Sequence, residues 1–252
     1  MTRVFAASTL GSLIMQATEL ELRDVVSGWG DTTVLERVSF KLRQGQRIGV
    51  LGRNGAGKTT TLATAMGLTS MHGGQVLLDG LDVSSMPTPE RSRMGLGYVP
   101  QTRDIFATLS VEENLVAGLQ GAPTRRLDEA YAMFPRLHER RCNLGNQLSG
   151  GEQQMLCIAR ALMAKPNLLL MDEPLEGLSP LVAAEVMGAI RHLATAKGLG
   201  CVLVEQQVGL VLDFADIVLV MERGRPMFLG TPAALTHNPE ILEQCIGLKK
   251  VA

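Results

Sequence analysis

Cysteine is scarce, and its spacing is uninformative. Cys142, Cys157, Cys201 and Cys245 are the four in 252 residues, and no two form a CxxC pair. That argues against a zinc cluster or a disulfide framework and fits a reducing compartment. An excess of one charge sign is also missing. The 24 Lys and Arg stand against 25 Asp and Glu, a formal net charge of −1. No global basic field therefore points to nucleic acid. Long apolar runs are absent too: "NLLLM" (167–171), "CVLV" (201–204) and "DIVLVM" (216–221) are far too short to span a bilayer. No internal repeat or low-complexity tract stands out.

What remains is a chain that is 46% apolar and 19% charged, able to bury a substantial core as one large domain or a domain plus a subdomain. Its start, "MTRVFAASTLGSLIMQA", has one Arg followed by small and apolar residues, a faint likeness to a signal peptide without a long apolar centre. The reading preferred here is a loose extension over 1–17, with Met15 as an alternative start. "ELELRDVV" (19–26) and "VLERVSFKL" (34–42) alternate like half-buried strands. "QRIGVLG" (46–52) is an apolar strand that runs into a Gly-rich loop, and "KTTTLATAMGL" (58–68) reads as a helix. "GQVLLDG" (74–80) is a strand between glycines. From about Asp104 to Lys165 the pattern is mostly helical, and Pro166 ends the block. Strand and helix then alternate through "NLLLMD", a long helix from Pro180, "CVLVEQ", "DIVLVMERG" and "PMFLG", with a last helix over "PEILEQCIG". This is an α/β pattern with a largely parallel sheet and a helical insertion.

Gly52-x-x-x-x-Gly57-Lys58-Thr59 matches the P-loop pattern between a predicted strand and a predicted helix. Glycines let the backbone wrap a phosphate, Lys58 would reach the β and γ oxygens, and the Thr59 hydroxyl would serve Mg²⁺. "LLLMDEP" (168–174) delivers Asp172 at the C-terminal end of a buried strand, where α/β sheets place ligands. Asp172 would hold Mg²⁺ through water, and Glu173 is a candidate general base. Alone, two acids after a strand would be read as a helix cap; the P-loop reverses that reading. "LSGGEQQ" (148–154) is a second Gly-rich turn that opens a helix, hence a second potential anion site. Gln101 follows "GYVP" at the edge of the helical block, placed either to touch Mg²⁺ or water or simply to form a surface turn. Trp29, the only Trp, either stacks on adenine or packs half-buried ahead of a hairpin.

In this order and spacing the P-loop, the Gln after "YVP", "LSGGE" and "LLLMDEP" resemble the ATP-binding subunit of an ABC transporter, over about residues 18–250. "GRNGAGKTT", "GYVPQTRDIF", "LSVEENL" and "DEPLEGLSP" resemble, more narrowly, the ATPases of branched-chain amino acid and urea or amide importers, in the shorter of their two paired types. The resemblance implies an α/β, RecA-like P-loop NTPase core with an antiparallel β subdomain and a helical insertion subdomain. It implies core segments 18–103 and 166–252 around a helical signature subdomain at 104–165. ATP and Mg²⁺ are the implied cofactors. Gly52, Arg53, Asn54, Gly55, Ala56, Gly57, Lys58, Thr59 and Thr60 would cradle the nucleotide, with Trp29 at adenine. Thr59, Gln101 and Asp172 would serve the metal, and Glu173, Gln101 and Gln206 the chemistry. Ser149, Gly150, Gly151 and Glu152 would cap the ATP of a second ATPase subunit facing head to tail, which accounts for two anion sites in one chain. Two membrane permease subunits and, indirectly, an extracytoplasmic solute-binding protein are the other implied partners, at the cytoplasmic face of the cell membrane. Two departures stand out. "EGLSP" (176–180) has Ser179 where the wider superfamily has Asp, and Gln206 stands where a switch His is usual. His72, His138, His192 and His237 all lie elsewhere and read as surface or packing residues. A cassette acting on nucleic acid or ribosomes is the alternative, but such proteins usually carry two fused cassettes or long coiled coils, which this chain lacks.

Overall fold

The computed structural model describes residues 16–246. Strands β1 (Glu19–Trp29) and β2 (Thr32–Arg43) form an antiparallel hairpin, and β3 (Arg47–Leu51) leads into helix α1 (Lys58–Met66). β4 (Ser70–Leu78), β5 (Leu81–Asp82), α2 (Thr88–Arg93) and β6 (Leu96–Val99) follow. The helical stretch holds α3 (Val111–Gly118), α4 (Leu127–Met133), α5 (Pro135–Glu139) and α6 (Gly150–Leu162). The chain then alternates through β7 (Leu168–Asp172), α7 (Pro180–Ala196), β8 (Gly200–Val204), α8 (Val208–Phe214) and β9 (Ile217–Glu222). β10 (Arg225–Gly230), α9 (Pro232–Thr236) and α10 (Pro239–Ile246) close it.

Two sheets result. One is antiparallel, in the order β2-β1-β4-β5. The other has the order β10-β9-β3-β8-β7-β6, parallel from β9 to β6, with β10 antiparallel at the edge. β7 and β8 are buried at every residue, and β3 at all but its first, because helices or the second sheet cover both faces. This is why these strands read as continuous apolar runs. β1 and β2 alternate because one face stays wet. One core lies between the sheets around α1, built from Leu20, Leu22, Phe40, Val50, Leu62 and Leu170 among others. A second joins the helical stretch to the other face of the parallel sheet through Phe134, Leu156, Ile158, Leu169, Ile190 and Leu203.

Short elements decide details that periodicity missed. α2 carries Arg91, only 1% exposed. Its guanidinium donates to the carbonyls of Thr64, Ala65, Ser84 and Met86 at 2.8–3.0 Å. It thereby adds a donor to carbonyls in the last turn of α1, where the Thr64 carbonyl also accepts the Gly67 N–H. The expected loose extension needs correction at its end. Ala17 is buried and donates its N–H to Met94 O, and Gln16 donates to Ala164 O. The rest of that segment, Met15 included, lies outside the described residues.

Candidate functional site

Four adjacent parallel strands, β3, β8, β7 and β6, end on one edge of the sheet. The loops they feed carry Gly52–Thr59, Gln206, Asp172–Glu173 and Gln101. Residues as far apart as 54 and 206 meet because a parallel sheet delivers all its C-terminal ends to the same side. They line a cleft of about 250 Å³ with Val34, Asn54, Gly55, Gly57, Lys58, Thr59, Thr60, Gln101, Glu173, Glu176 and Gln206 on its walls.

The glycines of the loop are required by geometry. Gly52 has φ 156°, and a Cβ there would sit 2.5 Å from Met221 O. Gly57 has φ 98° and forms the N-cap of α1 without any side-chain cap. The first N–H groups of α1 thus face the cleft unclaimed by a side chain, a ready anion cradle. Lys58 is 4% exposed and donates to Gly52 O at 3.0 Å and Arg53 O at 3.3 Å. Its Nζ also lies 3.5 Å from Glu173 Oε1. A buried ammonium held this way is a fixed positive charge beside the cradle.

Asp172 ends β7 fully buried, and neither of its carboxylate oxygens has a hydrogen-bond partner among the described residues. Burial pushes its pKa up to about 6, while the nearby Thr59 hydroxyl works the other way. A buried, unpartnered carboxylate is costly unless a cation compensates it. Asp172 and the Thr59 hydroxyl fit Mg²⁺, a hard ion that takes few protein ligands and keeps waters and phosphate oxygens for the rest. Among the described residues no cluster of three or more His, Cys, Asp or Glu could hold a metal by itself, which agrees with that sparse donor set.

Glu173 occupies the left-handed region at φ 46°, a strained backbone for a non-glycine residue. Its N–H donates to Val204 O at 3.0 Å, which turns the carboxylate back over the cleft. Gln206 Nε2 donates to Glu173 Oε2 at 2.7 Å. Gln206 is exposed, and it forms part of the cleft wall. Gln101 Nε2 donates to Glu176 Oε2 at 2.7 Å and reaches Glu173 Oε2 only at 3.5 Å.

The second Gly-rich turn stands apart. Ser149, Gly150, Gly151 and Glu152 do not line the cleft. Ser149 caps α6, and Glu152 closes a capping box on it, accepting from Ser149 N and Oγ at 2.8 Å each. Among the described residues no acceptor takes the N–H groups of Gly150 and Gly151. Gly151 has no room for more: a Cβ would meet Val182 at 2.7 Å. Trp29 sits within the hairpin, opposite Thr32, and not ahead of it; it is 51% exposed and does not line the cleft.

Sequence reasoning passed over Glu205, Arg103 and Glu176 as site residues. Glu205 is buried, accepts the Leu175 N–H at 3.0 Å, and has its pKa raised by burial. Arg103 donates to Gln154 Oε1 of α6 at 3.3 Å and to Glu176 O at 3.2 Å, joining α6 to the turn after Asp172. A charged residue directly after an apolar strand, as in "CVLVEQ", was the one available signal for Glu205.

Comparison with known proteins agrees with this geometry. The family model described as "ABC transporter" matches residues 35–176. A high-affinity branched-chain amino acid transport ATP-binding protein, BraG of Pseudomonas aeruginosa, is 37% identical over 90% of this chain and 99% of its own length. The lipopolysaccharide export system ATP-binding protein LptB of Escherichia coli is 33% identical over 90% of this chain and 97% of its own. A solved ATP-binding subunit of an ABC transporter superposes with a TM-score of 0.78 at 28% identity, covering 89% of this chain and 94% of that one.

Proposed function

We propose a function from one premise: the chain belongs to the ABC transporter family and is an ATPase. In this proposal it powers import of branched-chain amino acids or related small amides. The likeness to BraG along nearly the whole chain supports that cargo class. The working unit is two ATPase subunits, this chain with itself or a partner, bound to two membrane permeases and served by an extracytoplasmic binding protein. It would sit at the cytoplasmic face of the membrane, and no described helix is long and apolar enough to cross one. The segments 18–103 and 166–252 would act as the ATP-binding core and 104–165 as the signature subdomain.

The observation that carries the proposal is the separation of the two anion sites. The cleft is lined by P-loop residues, Glu173 and Gln206, with Asp172 buried next to Glu173 at the end of β7, while the α6 N-terminus with Gly150 and Gly151 lies outside it. One subunit then supplies half of each site. The loop from Gly52 to Thr60 would cradle the ATP phosphates, Lys58 would counter the charge on the β and γ groups, and Trp29 would stack on adenine. Thr59, Asp172 and Gln101 would hold Mg²⁺, which neutralises charge developing on the phosphates when bound. Glu173 would accept a proton from the attacking water, held in place by Gln206. Ser149, Gly150, Gly151 and Glu152 would cap the neighbour's γ-phosphate, so ATP favours closure and its hydrolysis releases it.

A second reading is export of a lipid-linked cargo, supported by the LptB likeness. Co-expression with a candidate importer's permeases and uptake of labelled amino acids into proteoliposomes tests the choice. ATP-dependent uptake that this chain alone restores is expected. Uptake that is indifferent to the chain would discard the import reading.

A further inference from the structure

Between the helical stretch and the core lies a second cavity, of about 370 Å³, on neither wall of the nucleotide cleft. Met133, Leu162, Met163, Leu193 and Leu199 contribute its apolar lining. At its rim Glu129 of α4 meets two lysines. Lys165 Nζ is 2.7 Å from one carboxylate oxygen and Lys197 Nζ 3.8 Å from the other. Arg126, which donates to Met163 O at 3.0 Å, adds to the field that acts on Glu129. One carboxylate thus faces three cations, and the rim keeps a positive excess. Lys165 itself is held at φ 54°, in the left-handed region, by the turn that ends α6.

A concave pocket of this size, with an apolar lining and a few convergent charges, has the form of a small-molecule site. An apolar lining with a cationic rim selects an amphipathic anion: the tail displaces water from the Leu and Met surface, and the head makes a charge-assisted hydrogen bond to an ammonium. We infer that this cavity binds a small aliphatic carboxylate. Lys197, the more loosely engaged of the two lysines, takes the carboxylate head. The methionines let the lining adapt to branched tails. The ligand's source is either a free branched acid or an aliphatic amino acid, whose carboxylate and tail are the same.

The position gives the site a consequence. Glu129, Met133, Leu162 and Met163 belong to the helical stretch, whereas Asn167, Leu193, Lys197 and Leu199 belong to the core. A bound ligand braces the two parts against each other and slows ATP turnover. This regulatory step rests on the proposed function, in which ATP closes an interface that includes the helical signature subdomain and hydrolysis releases it; the binding site does not.

Calorimetric titration of the purified chain with 3-methylbutanoate and, separately, with L-leucine tests the site. Saturable binding is expected, weakened about tenfold or more in Lys197→Glu, which removes the charge-assisted bond. Tighter binding of 3-methylbutanoate identifies the free acid as the source, and tighter binding of leucine the amino acid. Lys165→Glu is a second surface variant, and Ala130→Leu narrows the cavity from its wall. Absence of saturable binding by either probe, in a preparation that still binds ATP, overturns the inference. Binding unchanged in both lysine variants does so as well. Binding with no effect on ATPase activity removes the regulatory step alone. The binding readings are independent of whether the chain serves a transporter.

Discussion

Replacing Gln206 by Ala removes the shortest hydrogen bond made to Glu173. The Glu173 carboxylate has three polar neighbours: Gln206 Nε2 at 2.7 Å, Lys58 Nζ at 3.5 Å and Gln101 Nε2 at 3.5 Å. Only the first is well inside the normal hydrogen-bond range. A hydrogen bond to a charged group contributes about 1.5–3 kcal/mol. If roughly half of that is felt in the transition state, where the proposed base must stay aligned to take a proton, kcat falls about 3- to 12-fold, at about 1.4 kcal/mol per decade. KM for ATP should change little, because the P-loop and Lys58 are untouched. Gln206→His keeps a donor and adds a group that titrates near neutral pH, so the rate should match or exceed that of the parent. Phosphate release measured across a range of MgATP concentrations reads kcat and KM separately. If Gln206→Ala and Gln206→His both turn over like the parent, the 2.7 Å contact plays no part in catalysis and the reasoning fails.

Lys58→Ala should abolish ATPase activity and weaken nucleotide binding, read by phosphate release and a fluorescent-nucleotide titration, since the fixed cation beside the cradle is gone. Glu173→Gln should slow hydrolysis by about two to four orders of magnitude while ATP still binds, as for loss of a general base. It should also trap an ATP-bound dimer in sizing runs with the partner present. Ser149→Arg should block that dimer yet leave single-chain nucleotide binding intact. Arg91→Ala should lower stability by about 2–4 kcal/mol in urea unfolding, because four backbone carbonyls lose the buried guanidinium in one step.

The parts of this protein legible in its sequence are those whose signal is local. β3, β7 and β8 announced themselves because burial on both faces forbids polar interruption. The P-loop did so because φ values of 156° and 98° admit little but glycine. The α6 N-terminus showed itself through its Gly-rich turn, Ser149 to Gly151. Long-range pairing stayed hidden. Nothing in "VEQQ" says that Gln206 bonds to a residue 33 positions earlier, or that Glu205 holds the Leu175 N–H. Nothing in "PERSR" sets Arg91 apart from a surface charge, since its partners lie on α1 and in the turn after β5. α2, α8 and α9 are 5–7 residues long, too short for a helical period to register.

The backbone of Glu173 sets stability and activity against each other. At φ 46° a glutamate pays strain that Gly or Asn would largely escape, and its charge lies beside the buried Asp172. Laboratory evolution that rewards heat resistance alone would therefore find position 173 an easy gain and, on the role proposed for Glu173, would be enriching an enzyme that no longer works. A thermostabilised version of this ATPase should be sought with that codon locked.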